Sequence, residues 1–588
     1  MWRENLPRSL KSCIRLHPPV SKADDKEGEM QAGMNAGTAE GGRVTKVDEG
    51  RLLRAAAMLV ALAAILPIIA IIWIALTGSF GAWPHLIANV IPRSASTTAL
   101  LLAEVCACTL VTGVATAWLT STCEFPFRRT LTVALVLPLA MPAYLSAYAF
   151  GEFFDYSGPL QSAIRALTGL RSARDYWSPD IRTTTGAAFV LGSVLYPYIF
   201  LTARTMFLMQ GRNAAEVART LGAGSVRTFF RVQLPMARPA IVVGLTLVIM
   251  ETLNDIGAVE YLGVKTLTFS IYETWLNRND LAGAAQIALV MLAIVILLAF
   301  VERHARGRQR FAGSKPASAQ NVSRIALSGP WRALAVLLCV APPLVGFFIP
   351  AWIMAGYAMK RLDTFASPVL LSALGHTVMV SAGAAAVATL AGFVLAYSIR
   401  HGGTRAVRSA NRLASFGYGV PGTVLAIGVL IPLAAFDNAL SSFTKSLFGV
   451  SAGLLLSGTG FAIVYASAVR FLTMAEGNVA AGFDKLSPNL DWAARTLGRT
   501  RGGALREVLM PMMRPATLTA ALLVFIETSK ELSATILLRP FNFNTLATLI
   551  YEDASRSQVA DASVPSVIII LAGLVPVIVV SRLLEKGR

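Results

Sequence analysis

Charge is scarce in this chain. Only 14% of its 588 residues are Asp, Glu, Lys or Arg, against about a quarter in an ordinary soluble protein, and too little polar surface remains to coat soluble globules of that total size. The five cysteines (Cys13, Cys106, Cys108, Cys123 and Cys339) are odd in number and include no Cys-x-x-Cys pair, so neither a disulfide framework nor a zinc site is implied. No group of His, Cys and carboxylates has metal-ligand spacing. A Gly-x-x-x-x-Gly-Lys-Ser/Thr phosphate loop is missing, which excludes ATP hydrolysis by this chain alone. No nucleophile-and-base arrangement points to an enzyme.

What the chain has instead is length in apolar runs. Hydrophobic residues make up 55% and mean hydropathy is +0.60. A bilayer core needs roughly 20 apolar residues as helix. Nine charge-free runs approach or exceed that length: Ala55–Leu76, Leu131–Phe150, Gly186–Ala203, Leu281–Val301, Ala333–Met359, His376–Ser398, Leu413–Phe436, Leu447–Val469 and Val564–Val580. Three more carry charges: Thr97–Leu119, Ala240–Tyr261 and Ala516–Leu538. The expectation is an all-α polytopic membrane protein with twelve spans. With the N-terminus inside, about three quarters of the 52 Lys and Arg residues fall on the cytoplasmic side, the bias that sets orientation. The net charge of +19 therefore calls for no nucleic-acid partner, and both termini are expected in the cytoplasm. Residues 1–50 are polar, lack the apolar core of a cleavable signal, and read as a disordered cytoplasmic tail.

The sequence repeats itself. Displaced by 276 residues, Arg219-Thr220-Leu221-Gly222 meets Arg495-Thr496-Leu497-Gly498, Pro235 meets Pro511, Arg238-Pro239-Ala240 meets Arg514-Pro515-Ala516, and Glu251-Thr252 meets Glu527-Thr528. Six spans per half is an even number, so the halves (residues 51–301 and 333–588, with a cytoplasmic linker at 302–332) enter the membrane in the same sense, related by an axis along its normal. The repeated loop reads as helix, turn, helix: helix formers over Asn213–Leu221, Gly222 as a left-handed stop, Ser225 as the next cap, and apolar positions at i, i+3 and i+4 until Pro235 ends the second helix. An amphipathic loop resting on lipid headgroups is the plain alternative.

These residues resemble the membrane-spanning permease subunits of binding-protein-dependent ABC importers, whose cytoplasmic signature is Glu-Ala-Ala, three residues, Gly, nine residues, then Ile-x-Leu-Pro. Glu216-Val217-Ala218, Gly222 and Val232-Gln233-Leu234-Pro235 have that spacing. The second copy runs Trp492-Ala493-Ala494, Gly498 and Val508-Leu509-Met510-Pro511, with Trp492 where glutamate is expected and Asp491 beside it. The resemblance implies that each loop is a coupling helix docking on one of two cytoplasmic ATPase subunits, which carry ATP and Mg while this chain binds no cofactor. It also implies a periplasmic substrate-binding protein as partner, and a place in the lipid of a bacterial inner membrane. A finer resemblance is to the fused, two-half permeases of the ferric-iron type, carried by Glu251–Tyr261 and Lys530–Pro540. Permeases for phosphonates, polyamines or sulfate look much alike. A secondary transporter driven by an ion gradient also often has twelve spans, though it would not need the duplicated loop.

Glu251 lies twelve residues past Pro239, about 18 Å along a helix, and Glu527 is its mate; both fall near the midplane. Asp255 and Glu531 are expected one turn further out on the same face. A carboxylate there costs on the order of 3 kcal/mol, so these four face either a watery path that favours a cation or interhelical partners, with Lys530 neutralising Glu527 or Glu531. Oxygen donors are compatible with hard ferric iron. Glu104 is expected to serve packing, and His376 to begin a span at the outer interface.

Overall fold

In lipid a backbone can satisfy its own polar groups within a helix, and the computed structural model is built from helices. It describes residues 48–586 except 171, 173–174, 177, 210–216, 219, 307–323, 402, 415–416 and 488. Residues 53–588 form one compact unit; of the expected tail at 1–50, residues 1–47 lie outside the described residues and 48–50 are helical. In the first half the helices are α1 (Arg51–Thr77), α2 (Trp83–Thr122), the bent pair α3 (Arg128–Ala140) and α4 (Ala143–Thr168), α5 (Thr184–Met209), α6 (Ser225–Asn254), the short α7 (Gly257–Tyr261) and α8 (Leu267–Tyr272), and α9 (Leu281–Val301). The second half has α10 (Pro330–Ala358), α11 (Pro368–Arg400), α12 (Gly422–Phe448), α13 (Phe461–Asp484), α14 (Asn489–Thr496), α15 (Arg501–Ser529), the short α16 (Thr535–Leu538) and α17 (Leu546–Ser555), and α18 (Val559–Ile578).

The duplication is visible in the packing. Helices α2, α5 and α6 pack on one another in the first half as α11, α13 and α15 do in the second. Even single hydrogen bonds recur: Leu267 N donates to Thr98 Oγ1 at 3.0 Å and Leu546 N to Thr377 Oγ1 at 2.8 Å, each closing a separation of 169 residues. The end of the linker is pinned to the first half by a two-residue parallel strand pair, β1 (Cys123–Glu124) with β2 (Ile325–Ala326), and by Arg324 on Glu124 at 3.2 Å.

Of the twelve expected spans, the described helices account for ten or eleven by length and composition. Ten described helices are long and apolar enough to cross a membrane, and an eleventh crossing would be the pair α3 and α4, bent by 96°. The bend falls at Met141-Pro142, where both residues are extended, because a residue before proline is driven from the helical region. The expected span Leu447–Val469 is not a helix throughout. Helix α12 runs on to Phe448, stops at Gly449 in the left-handed region (φ 72°), and α13 starts only at Phe461. The intervening loop is tied back by buried Asp437, which accepts from Ser457 N and Oγ, both at 2.7 Å. Helix α13 carries Arg470 and Glu476, which a search for charge-free runs passes over. It occupies in the second half the place of α5 in the first.

Two of the three charged spans, Ala240–Tyr261 and Ala516–Leu538, are broken as well. Helix α6 ends at Asn254 and α15 at Ser529, each followed by a short non-helical break and a further short helix. At the other end they are longer than expected. Pro235 and Pro511 do not end the loop helices: one wide turn, Phe229–Gln233 and Leu505–Leu509, precedes each proline, and the helix continues without interruption into the span. A π-turn relieves the clash of the proline ring with the carbonyl four residues back. Gly224, not Ser225, occupies the cap position of the first copy, whereas Thr500 caps the second by accepting from Gly503 N.

Candidate functional site

Two features common to both halves bracket the long helices α6 and α15: a loop at one end and a polar cavity at the other. Both loops end their first leg alike. Gly222 and Gly498 have φ 82° and 83°, and Ala223 N and Arg499 N reach back to Ala218 O and Ala494 O at 2.9 and 3.1 Å, the Schellman closure that requires a left-handed residue. Glu216 lies outside the described residues. Val217 is exposed, and Leu221 and Leu497 are 82% and 83% exposed at repeat-related positions. Ala493 is exposed and Ala494 buried, while Leu234-Pro235 and Met510-Pro511 directly follow the wide turns, where each loop becomes span.

The halves brace their loops differently. In the first, Trp118 Nε1 donates to Gln233 Oε1 at 2.8 Å and its ring packs on Phe229. In the second, Arg400, the last residue of α11, donates through Nε to Asp491 at 3.0 Å and through its terminal nitrogens to the carbonyls of Phe483 and Ser487. This clamp joins α11 to the end of α13 and the start of α14. Trp492 stays 65% exposed, with the Arg495 guanidinium over its ring. His401, just beyond α11, lies in a cavity with Arg400, Asp491, Trp492 and Arg501. Burial pulls its pKa below the usual imidazole value, Arg400 and Arg501 push the same way, and Asp491 opposes them.

The central cavity, of about 100 Å³, is lined by both halves. Glu251 and Asp255 meet Glu527, Lys530 and Glu531 there, so the structure brings together every predicted residue of this group. Sequence reasoning missed Arg470, which lines the same cavity from α13. Its signal was present: an arginine flanked by apolar residues on either side, 276 positions after Val194.

The four carboxylates do not share one helical face. Because α6 and α15 end first, Asp255 and Glu531 sit in the breaks and cap the short helices beyond. Asp255 accepts from Ala258 N at 2.7 Å, and Glu531 from Ala534 N at 2.8 Å and from Thr535 N at 3.1 Å. A carboxylate at a helix start is favoured by the dipole and by unpaired N–H groups. Glu531 also binds Arg470 at 2.9 Å, and Lys530 binds Glu527 at 2.9 Å. Both cavity cations thus contact second-half carboxylates. Four carboxylates face two cations, a formal excess of negative charge.

The halves touch closely around this cavity. A Cβ on Gly257 would lie 2.7 Å from Leu532 of the other half and 2.7 Å from Tyr144. Gly422 N donates to Asn254 Oδ1 at 2.7 Å and Ser533 Oγ to Asn254 O at 2.6 Å. Glu104 accepts from Thr185 at 3.3 Å, in keeping with packing. His376 sits two turns inside α11, stacked on Phe543 and bonded to Asn544 O, not at a span start.

A model of the family described as binding-protein-dependent transport system inner membrane component matches residues 50–310 and 388–586, one stretch in each half. The chain belongs to this family. It is a multi-pass inner-membrane permease subunit, not an enzyme. This permease is 24% identical to the Fe(3+)-transport system permease protein FbpB 2 of Haemophilus influenzae, over 84% of its own length and 90% of the relative's. The sulfate transport system permease protein CysT of Salmonella typhimurium is 27% identical over 32% of this chain and 67% of its own. The molybdenum transport system permease protein ModB of Escherichia coli is 25% identical over 33% and 88%. The first relative spans both halves; the other two match about one.

Proposed function

We propose that this permease forms the whole membrane portion of an ATP-driven importer for ferric iron. A periplasmic binding protein delivers the cargo on the side of the short helices, and two ATPase subunits, which hold ATP and Mg, dock on the loops at Glu216–Gly222 and Asp491–Gly498. Both termini then face the cytoplasm with the loops. The carrying observation is the likeness to a ferric-iron permease through both halves. The negative excess of the cavity supports the same reading, since a hard cation is favoured by carboxylate oxygens.

Two apolar side chains left bare at repeat-related loop positions, Leu221 and Leu497, are what a partner surface would cover. Beyond the Gly222 and Gly498 turns, helices α6 and α15 run without a break to Glu251 and Glu527. A push passed through either turn therefore moves a cavity wall. Glu251, Asp255 and Glu527 are the proposed path residues, while Lys530 and Glu531 set its charge and shape.

A permease for sulfate or another oxyanion is the second reading, favoured by Arg470 and Lys530 in the cavity. Their pairing with Glu531 and Glu527 argues against it. The test is uptake into proteoliposomes holding the permease, its ATPase and its binding protein. ATP-dependent entry of labelled ferric iron, with sulfate, molybdate and a phosphonate left outside, supports the proposal. Entry of an oxyanion instead, or uptake that follows an ion gradient without ATP, overturns it.

A further inference from the structure

Beyond the cavity, one turn along α7 from the cavity-lining Gly257, stands Glu260. Its carboxylate Oε2 accepts a short hydrogen bond from Tyr551, and the Tyr551 hydroxyl lies 3.2 Å from that of Tyr272. The two tyrosines are 279 residues apart, the same separation that relates Thr98 to Thr377, whose hydroxyls hold α8 and α17 by identical bonds. They are therefore repeat mates meeting on the axis between the halves. Tyr551 is buried, Tyr272 and Glu260 are half-buried, and α7 joins Glu260 to Gly257 on the wall of the chamber of Asp255 and Glu251. Arg539, on the same end of the molecule, is engaged by Glu552 and Asn544.

Two phenol oxygens and a carboxylate form a set of hard donors. Phenolate is an established ligand of oxidised iron, and hard cations choose oxygen over sulfur or imidazole. The spacing fits as well. With metal–oxygen bonds of about 2.0 Å, adjacent ligands on an octahedron are ~2.8 Å apart, so hydroxyls at 3.2 Å need little movement to share one ion. We propose that Tyr272, Tyr551 and Glu260 form a transient ferric-iron site on the axis, through which cargo passes before the carboxylate cavity. Each phenol that ligates releases its proton to water, so occupancy weakens as pH falls. The site rests on the ferric-iron reading, and a hydrogen-bonded latch between the halves is the rival account of the same three residues.

The experiment uses the purified full chain in detergent, titrated with ferric citrate and followed by visible absorption, because phenolate-to-iron charge transfer is coloured and a latch is not. The expected result is a band that saturates at one iron per chain, weakens in Y272F and in Y551F, disappears in the double variant, and is bleached by excess gallium. No band in wild type, or a band unchanged in the double variant, overturns the site. Proteoliposome uptake separates the two proposals. If wild type imports no ferric iron the transport reading fails, whereas iron uptake at the wild-type rate in Y272F/Y551F sinks only the site. The expected loss is about ten-fold or more, the scale of removing a metal-site partner. E260Q, which keeps size and hydrogen bonding, retains assembly but shifts the titration to higher iron.

Discussion

Arg470 and Glu531 meet at 2.9 Å with side chains only 7% and 2% exposed, and the residue that corresponds to Arg470 in the first half is Val194. The cavity is thus built from a duplicated frame with an ion pair added on one side. Removing one member of a buried pair leaves an uncompensated charge and costs about 3–5 kcal/mol. Arg470→Met is expected to lower the thermal midpoint of the purified permease markedly, and adding Glu531→Gln to recover part of it. Equal midpoints for wild type and Arg470→Met would show that the pair is not structural.

The carboxylates nearer the loops separate path from scaffold. Glu251→Ala with Glu527→Ala should cut ferric uptake, counted per assembled complex, by ten-fold or more, ~1.4 kcal/mol per decade. Because Glu527 neutralises Lys530 at 2.9 Å, Glu527→Ala alone should harm assembly more than Glu251→Ala does, and Lys530→Met should repair that harm. Size-exclusion yield and labelled-iron counts give both answers. Uptake intact in the double alanine variant would return these residues to a packing role.

The loops predict a division between contact and conformation. Leu221→Ser and Leu497→Ser remove exposed apolar area and should weaken ATPase binding several-fold without changing the thermal midpoint, since neither side chain is packed. Gly222→Val and Gly498→Val act differently. At φ 82° and 83° a β-branched residue is strained by roughly 1–2 kcal/mol, so the Schellman closure should open and ATP hydrolysis lose its link to transport. Pull-down of the ATPase and substrate-stimulated hydrolysis distinguish the two classes; identical behaviour of all four variants would contradict it.

Acid should loosen the second loop. His401 is held neutral by burial and by Arg400 and Arg501, against the pull of Asp491, with Glu476, Asp484 and Arg495 lining the same cavity. Its folded pKa is lowered, so the unfolded chain binds more protons, and stability present at neutral pH declines as pH falls below about 6.5. Limited proteolysis of residues 485–500 should accelerate between pH 7.5 and 5.5 in wild type and much less in His401→Gln. The same acceleration in both proteins would assign the effect elsewhere.

By itself the sequence determined the material and the plan: helices, because long apolar runs leave the backbone no other partners in lipid; two parallel halves, because Glu251 and Glu527 recur in the same context; and paired loops, because Gly222 and Gly498 sit at equal spacing before Pro235 and Pro511. Those features depend on local composition and on registers that a linear text preserves. Only the tertiary structure decided where the helices break and what the charges meet. Periodicity does not distinguish a continuous helix through Asp255 from one that stops at Asn254 so that Asp255 can cap its neighbour. Nor could spacing along the chain pair Arg470 with Glu531, or bring Tyr272 to Tyr551 across 279 residues. Such contacts arise when two half-bundles close on one another, and their geometry is a property of that packing.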